Sequence, residues 1–492
     1  MLRKKLRAAF SFPVMLGSVL VGWVYFKASG GIGDPDLWWH LRNADYLWTH
    51  GKLPAFDTFS YTTLGHPWMN HEWLAEVPYY LGWRVAGLVG IYVVFSLLLE
   101  AILLGLFYLS YKSCGNVKGA FLASGFTVLL AAVGFGPRVI LFGYLYLLIL
   151  LSLLWRFRTR QPTGRGPLWL IPPLFCLWIN THGSWLLGMI VFGIVVGAGL
   201  WEGRLGRVEV ERWSPEQLKR LLWTGVASIA ALFVNPFGYR LVIYPFDLAF
   251  RQKLNIGNVV EWASVNFHED AGKVAFVLIV ALLLGGLLSN RPWKLSELAL
   301  ALFGLYCGLT YIRFLFLTAI LITPLLAKML DVLPPYRPEI DKRALNAAII
   351  VGIVVFMAVK FPSEKQLEEN VAKNFPVAAL AHVGTEEDPG PIFNLYEWGG
   401  YIAWKAPSIK TFIDGRADIY EYAGAMKDYL DAAALKNTRG IFEKYGVRCV
   451  IFPPENPLSY FLRQDPEWQV TYSDKVCQIL VKTPPDRAAP VR

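Results

Sequence analysis

GDPDLWWHLRNADYLWTHGKLPAFDTFSYTTLGHPWMNHEWLAE, residues 33–76, decides how this chain is read. The stretch follows directly on a first apolar segment. Its Asp, His, Asn and Pro content makes it too polar to cross a bilayer, where a span needs roughly 20 apolar residues. It holds His40, His50, His66 and His71, four of the seven histidines in the chain, a density that a passive linker does not need. Nearly everything else before residue 360 is hydrophobic helix-forming sequence. The chemistry is therefore expected here, on the water-facing side of a membrane.

Working outward, 55% of the 492 residues are apolar and 17% are charged. Soluble domains carry about 25% charged residues, so this is the composition of a polytopic membrane protein. The net charge of +10 is assigned to basic loops that hold topology, with no nucleic-acid partner. Apolar runs predict about eleven spanning helices, at 11–30, 85–111, 119–136, 138–155, 167–181, 183–201, 221–235, 272–289, 295–311, 313–330 and 345–360. Alternate connections are rich in Lys and Arg, among them Arg3, Lys4, Lys5 and Arg7, then Arg156, Arg158 and Arg165, then Arg337, Lys342 and Arg343. Basic loops stay cytoplasmic, which puts the N-terminus inside and residues 33–76 outside; eleven spans then put the C-terminal region outside as well. MLRKKLRAAF lacks a small-x-small cleavage site before Gly33 and reads as the start of an uncleaved first helix.

The expected division is a membrane domain over 1–360, with outer loops 33–84 and 236–270, and a soluble extracytoplasmic α/β domain over 361–492. In the latter, strand-like runs (PIFNL, IKTFID, VRCVIF, WQVTYS, CQILVK) alternate with helix-like ones.

Asp34 and Asp36 stand where the first span ends, a place where two carboxylates are costly to bury. The plainer reading is a cap for the helix DLWWHLRNADYLW. On that helix Asp36, His40 and Arg42 offer two bases and a cation. His71-Glu72 has the residue types of a metal-ligating or catalytic pair, although residue 75 is Ala and HExxH is absent. His182, in Asn180-Thr-His-Gly183, falls at an outer turn, where polar residues either satisfy backbone groups or reach a cavity. Arg138 and Arg313 occupy short outer turns. A guanidinium there either snorkels to the surface or binds a phosphate in the interface, for which its fork of donors is suited. Glu261 in the later outer loop, and Trp398, Tyr401, Asp414, Arg416 and Asp418 near the C-terminus, complete the candidates. Asp414-Gly-Arg416 reads as a turn. Walker A, GxGxxG and GxSxG motifs are absent from the sequence.

Asp36, His40, Arg42 and Gly51 keep the offsets of an Asp, Asn, Arg and Gly that follow the first helix in catalytic subunits of oligosaccharyltransferase. Asp57 with Tyr61-Thr-Thr-Leu64-Gly65 resembles the second part of that pattern. The broader plan is similar to that of the GT-C superfamily of lipid-dependent membrane glycosyltransferases. The resemblance implies that Asp36 is the catalytic or metal-binding carboxylate with Asp34 beside it, and that Glu261 is a second acidic residue facing the acceptor. A divalent metal (Mg or Mn), if used, would take Asp36 and Glu261 as ligands. The family's WWDYG signature is replaced by Glu397-Trp398-Gly399-Gly400-Tyr401, and the turn Gly136-Pro137-Arg138 lacks an acidic pair. Both departures favour a general GT-C transferase over a protein N-glycosylating enzyme.

The expected activity is transfer of a sugar from a polyprenyl-phosphate-linked donor to a lipid, glycan or protein acceptor outside a bacterial inner (cytoplasmic) membrane. Arg313, Arg138 and Arg42 are assigned to the donor phosphate, and Asp36 or Asp34 to the base. His40, His71, Glu72, His182, Glu261, Trp398 and Tyr401 are assigned to the acceptor or to support of the site. The alternative is a non-catalytic lipid-binding, transport or envelope-assembly membrane protein.

Overall fold

A computed structural model describes residues 8–29, 31–160, 166–289, 291–383 and 390–483 of the chain. Arg3, Lys4, Lys5, Arg7 and Arg165 of the basic loops lie outside the described residues. Five described helices are long and apolar enough to cross a membrane: Trp73–Cys114, Val117–Gly134, Ile140–Thr159, Asp270–Leu288 and Ile312–Met329. Counting one bent helix pair as a single span makes six.

This corrects the expectation of about eleven. Hydropathy sums apolar residues without regard to where a helix begins or stops. Phe12–Ala28, Pro167–Ile179, Trp185–Gly197 and Leu295–Thr310 are apolar but no longer than 17 residues. The run at 167–181 opens as a 3-10 turn over Pro167–Leu170. It ends at Asn180, whose amide donates to the carbonyls of Cys176 and Val234, each at 2.8 Å. The run at 221–235 belongs to Pro215–Ala231, whose first turns carry Glu216, Lys219 and Arg220 behind a Ser214 capping box. An even or odd count no longer follows, so span parity does not orient the C-terminal region.

The chain forms two compact units that interleave along the sequence. The first comprises Met1–Gly30, Val93–Pro245 and Val259–Pro362; the second comprises Gly31–Tyr92, Phe246–Asn258 and Ser363–Arg492. In the first unit, Ile312–Met329 is the most enclosed span, with 72% of its apolar window buried. Small and hydroxyl residues let neighbours approach it closely. Thr318 donates to the Gly304 carbonyl at 2.7 Å, and Thr323 to Thr127 Oγ1 at 2.9 Å. A side chain at Gly308 would collide with the Thr318 hydroxyl.

The second unit is built on a four-stranded sheet in the order Ile392–Asn394, Cys449–Phe452, Gln478–Lys482, Trp468–Ser473. The first pair is parallel and the other two are antiparallel. Phe393, Phe412, Tyr429, Phe442, Phe452 and Leu480 are fully or nearly fully buried at its core, joined by Trp39 and Trp68 from the polar stretch. IKTFID, expected as a strand, is an irregular segment. Thr411 makes one isolated bridge to Ser60, and the Phe412 amide donates to the Asn394 side chain at 2.9 Å.

Two sets of bonds explain why distant sequence joins this unit. The Tyr61 amide donates to Thr411 O at 3.0 Å, and the Tyr61 hydroxyl to Ile392 O at 3.0 Å. The amides of Leu254 and Asn255 donate to the two carboxylate oxygens of Glu421 at 2.9 and 2.8 Å.

Candidate active site

The second unit positions Asp34 and Asp36 at the start of the Asp36–His50 helix, with Pro35 as its N-cap residue. Asp34 Oδ1 accepts the Asp36 amide at 2.9 Å, and Asp34 itself is buried. Asp36 Oδ1 accepts the Trp39 indole N–H at 3.0 Å. This contact fixes the carboxylate against its own helix. The helix Gly399–Lys405 packs on it through Gly400, where a Cβ would press on Pro35 O, Trp39 N and Trp39 Cβ. A Cβ at Gly415 would strike Asp36 Oδ1 and Trp39 Nε1. Glycines of the EWGGY and DGR stretches thus set the placement of Asp36. Gly415→Ala is expected to cost about 1–3 kcal/mol by overpacking. Gly33→Ala, which enters open space, should leave the unfolding midpoint unchanged; thermal unfolding of both variants checks this.

His40, His71 and Glu72 do come together. Glu72 Oε2 is 3.7 Å from both His40 Nε2 and His71 Nε2. His40 Nδ1 shares a hydrogen bond with Glu76 Oε1 at 3.0 Å, and Asn70 and Asn43 donate to the Glu76 carboxylate at 2.8 and 3.4 Å. Burial pushes His40 down to about 3 despite the nearby Asp34 charge, and burial pushes His71 down to about 3 as well. Both rings are neutral in the folded protein, whereas the unfolded chain protonates them near 6.5. Their contribution is present in full above about 6.5 and is lost as pH falls toward 3. Stability measured by denaturation should therefore decline from pH 7 to pH 5, and His40→Gln should flatten that decline.

Asp57, Asp414 and Arg416 form a buried ion-pair network that the sequence disguises as a turn. Arg416 Nη1 is 2.8 Å from Asp57 Oδ1, and its Nη2 and Nε donate to Asp414 at 2.6 and 2.8 Å. Its guanidinium lies 4.7 Å from the Phe59 ring centre and 4.9 Å from that of Trp68. Ser60 and Thr63 hydroxyls close on the Asp57 carboxylate.

Other assignments separate from this group. Arg42 donates to Asp45 at 3.0 Å and covers the Phe59 ring. Trp398 and Tyr401, assigned to the acceptor or to support of the site, are each 3% exposed. The Trp398 indole donates to Asn374 O at 2.8 Å, and Tyr401 packs between Trp38 and Phe375. Both rings are enclosed by protein, a setting for support of the site and not for contact with an acceptor.

The first unit builds a second cluster from three segments. Arg138 Nη1 pairs with Glu261 Oε1 at 2.5 Å. The Arg313 guanidinium lies 4.3 Å from the Trp262 ring centre, and its Nε is buried without a hydrogen-bond partner among the described residues. Tyr144, which the sequence did not single out, donates its hydroxyl to Arg313 O at 3.1 Å. Val133, Gly134, Arg138, Ile140, Tyr144, Glu261, Ile312 and Arg313 enclose a cavity of about 40 Å³. His182 is not among these residues; its Nδ1 accepts the Ser184 amide at 2.9 Å in the turn after Asn180.

Among the described residues, no group of three or more His, Cys, Asp or Glu side chains is arranged to hold a metal ion. Asp36 meets an indole N–H and Glu261 a guanidinium, partners that compete with a cation. The proposed reaction accordingly contains no metal step.

The described residues comprise a helical unit, with helices long and apolar enough to cross a membrane, and an α/β unit. No family model and no curated protein sequence matches the chain. Among solved structures it is similar to the oligosaccharyltransferase of Archaeoglobus fulgidus, a structure holding an acceptor peptide with an NVT sequon. The two are 13% identical with a TM-score of 0.52, over 91% of this chain and 70% of that one. What they share is the fold.

Proposed function

We propose that this protein is a GT-C-type glycosyltransferase that moves a sugar from a polyprenyl-phosphate-linked donor to an acceptor on the extracytoplasmic side of a membrane. The observation that carries the reading is the guanidinium pair, Arg138 and Arg313, lining a cavity in the helical unit. Membrane-interface arginines around a cavity suit a lipid-borne phosphate, since guanidinium donors match phosphate oxygens. The oligosaccharyltransferase fold supports the same class.

In the proposed reaction Asp36 takes the proton of the acceptor hydroxyl. The acceptor oxygen bonds to the sugar's anomeric carbon, and the bond from that carbon to the phosphate oxygen breaks. The electron pair stays on the phosphate, which leaves as polyprenyl phosphate and needs no strong acid. Arginines stabilise the charge that develops there.

Release of polyprenyl phosphate by the purified full chain, given polyprenyl-linked sugars and acceptor extracts, tests the reading. Donor that binds and stays intact under every acceptor would move the non-catalytic lipid-binding or assembly reading to the front.

A further inference from the structure

The pair between Arg138 and Glu261 sits on the proposed phosphate cavity, and the following rests on that reading. We propose that Glu261 is an internal competitor for the phosphate seat. Its carboxylate occupies the place of a phosphate oxygen on Arg138 and returns there to expel the product lipid.

The setting allows the side chain to move while its backbone stays. Glu261 lies in the single 3-10 turn Val260–Trp262. That turn is held by the chain that follows the acid. The Ile312 amide donates to Ala263 O at 3.0 Å and the Val265 amide to Leu309 O at 3.1 Å. The Trp262 ring lies under Arg313 and meets Tyr311 and Phe314 edge-on. The Glu261 side chain itself is 35% exposed and that of Arg138 28%, so the carboxylate can leave into water at little desolvation cost. With Glu261 seated, the cavity of about 40 Å³ has room for only a few waters. Turning the carboxylate away enlarges the space beside the Arg138 guanidinium.

Charge gives the motion a direction. Around the cavity stand two guanidiniums and one carboxylate. Transfer adds one negative charge to the lipid phosphate, because the bonding pair remains on it while the acceptor's proton goes to the base. Glu261 therefore repels product more than donor, which favours release after each turnover.

The test is binding of labelled polyprenyl monophosphate to the full chain in detergent micelles, with inorganic phosphate as a second probe. Glu261→Gln should tighten the lipid about tenfold, the effect of one like charge in a partly hydrated site. The gain should shrink as salt rises. Glu261→Asp keeps the charge and should stay near wild type. A merely structural Glu261 would give weaker or equal binding in Glu261→Gln with an unchanged unfolding midpoint, and that result overturns the proposal. Tightening for inorganic phosphate alone would assign the seat to a soluble phosphate and overturn the lipid-product role. Absence of lipid binding in wild type, with Arg313→Gln no different, would instead remove the phosphate reading itself.

Discussion

Replacing Arg416 with alanine is expected to lower the stability of the fold by about 3–5 kcal/mol, the cost of removing one partner from a buried ion pair. The side chains of Arg416, Asp57 and Asp414 are 1% exposed or less. Without the guanidinium, two carboxylates remain buried side by side with no cation between them. Burial alone would raise the Asp57 carboxyl. Arg416 outweighs it, with the Ser60, Phe59 and Thr63 hydrogen bonds, and holds Asp57 below the usual carboxylate range. A carboxyl lowered by folding contributes stability that is complete above its unfolded value near 4. That contribution is lost as pH falls through the lower folded value. Acid unfolding of wild type should therefore show this limb below about pH 4, and Arg416→Ala should lose it. Burial opposes the charge on Arg416, but Asp414 and Asp57 raise it well above its ordinary range, so it stays charged at any working pH. Thermal unfolding of the purified full chain reads the loss. A midpoint within a degree of wild type would show that the network is not what ties residues 57–63 to the sheet.

That network marks where sequence reading stops. Asp414-Gly-Arg416 has the composition of a turn, and it is one. Nothing local announces that its arginine meets an aspartate more than 350 positions earlier in the chain. Local signals did better. The bond from the Asp36 amide to Asp34 spans two residues and lies within the reach of local spacing, whereas the approach of His40 to Glu72 joins separate segments and had no local signal. The composition already spoke for a helical membrane body, but its span count overshot because hydropathy does not register Asn180, the polar first turns of Pro215–Ala231 or the 3-10 opening at Pro167. The pairing of Arg138 with Glu261, and the Trp262 face under Arg313, required segments far apart in sequence to be brought together. Trp398 and Tyr401 have the residue types of a sugar platform as well as those of a core. Only burial distinguishes such a platform from a core.

Asp36→Asn is expected to reduce polyprenyl phosphate release by about 10²–10⁴-fold, the usual contribution of a general base. The substitution keeps the shape of the side chain and an oxygen able to accept the Trp39 indole N–H, so the helix start should survive intact. What it removes is the capacity to take a proton. Donor binding, assigned to Arg138 and Arg313, should remain within a few-fold of wild type. Arg313→Gln should show the opposite pattern, weaker donor binding with residual turnover at saturation. Asp34→Asn separates the two carboxylates. Its Oδ1 accepts a backbone amide, a bond that an asparagine oxygen can also make. It should therefore preserve both stability and most of the turnover. If Asp34→Asn proved as inactive as Asp36→Asn while both melted like wild type, the base would be reassigned to the pair or to Asp34. If Asp36→Asn kept full turnover, the carboxylate would be a structural anchor for Trp39. The base would then have to be sought among His40, His71 and Glu72.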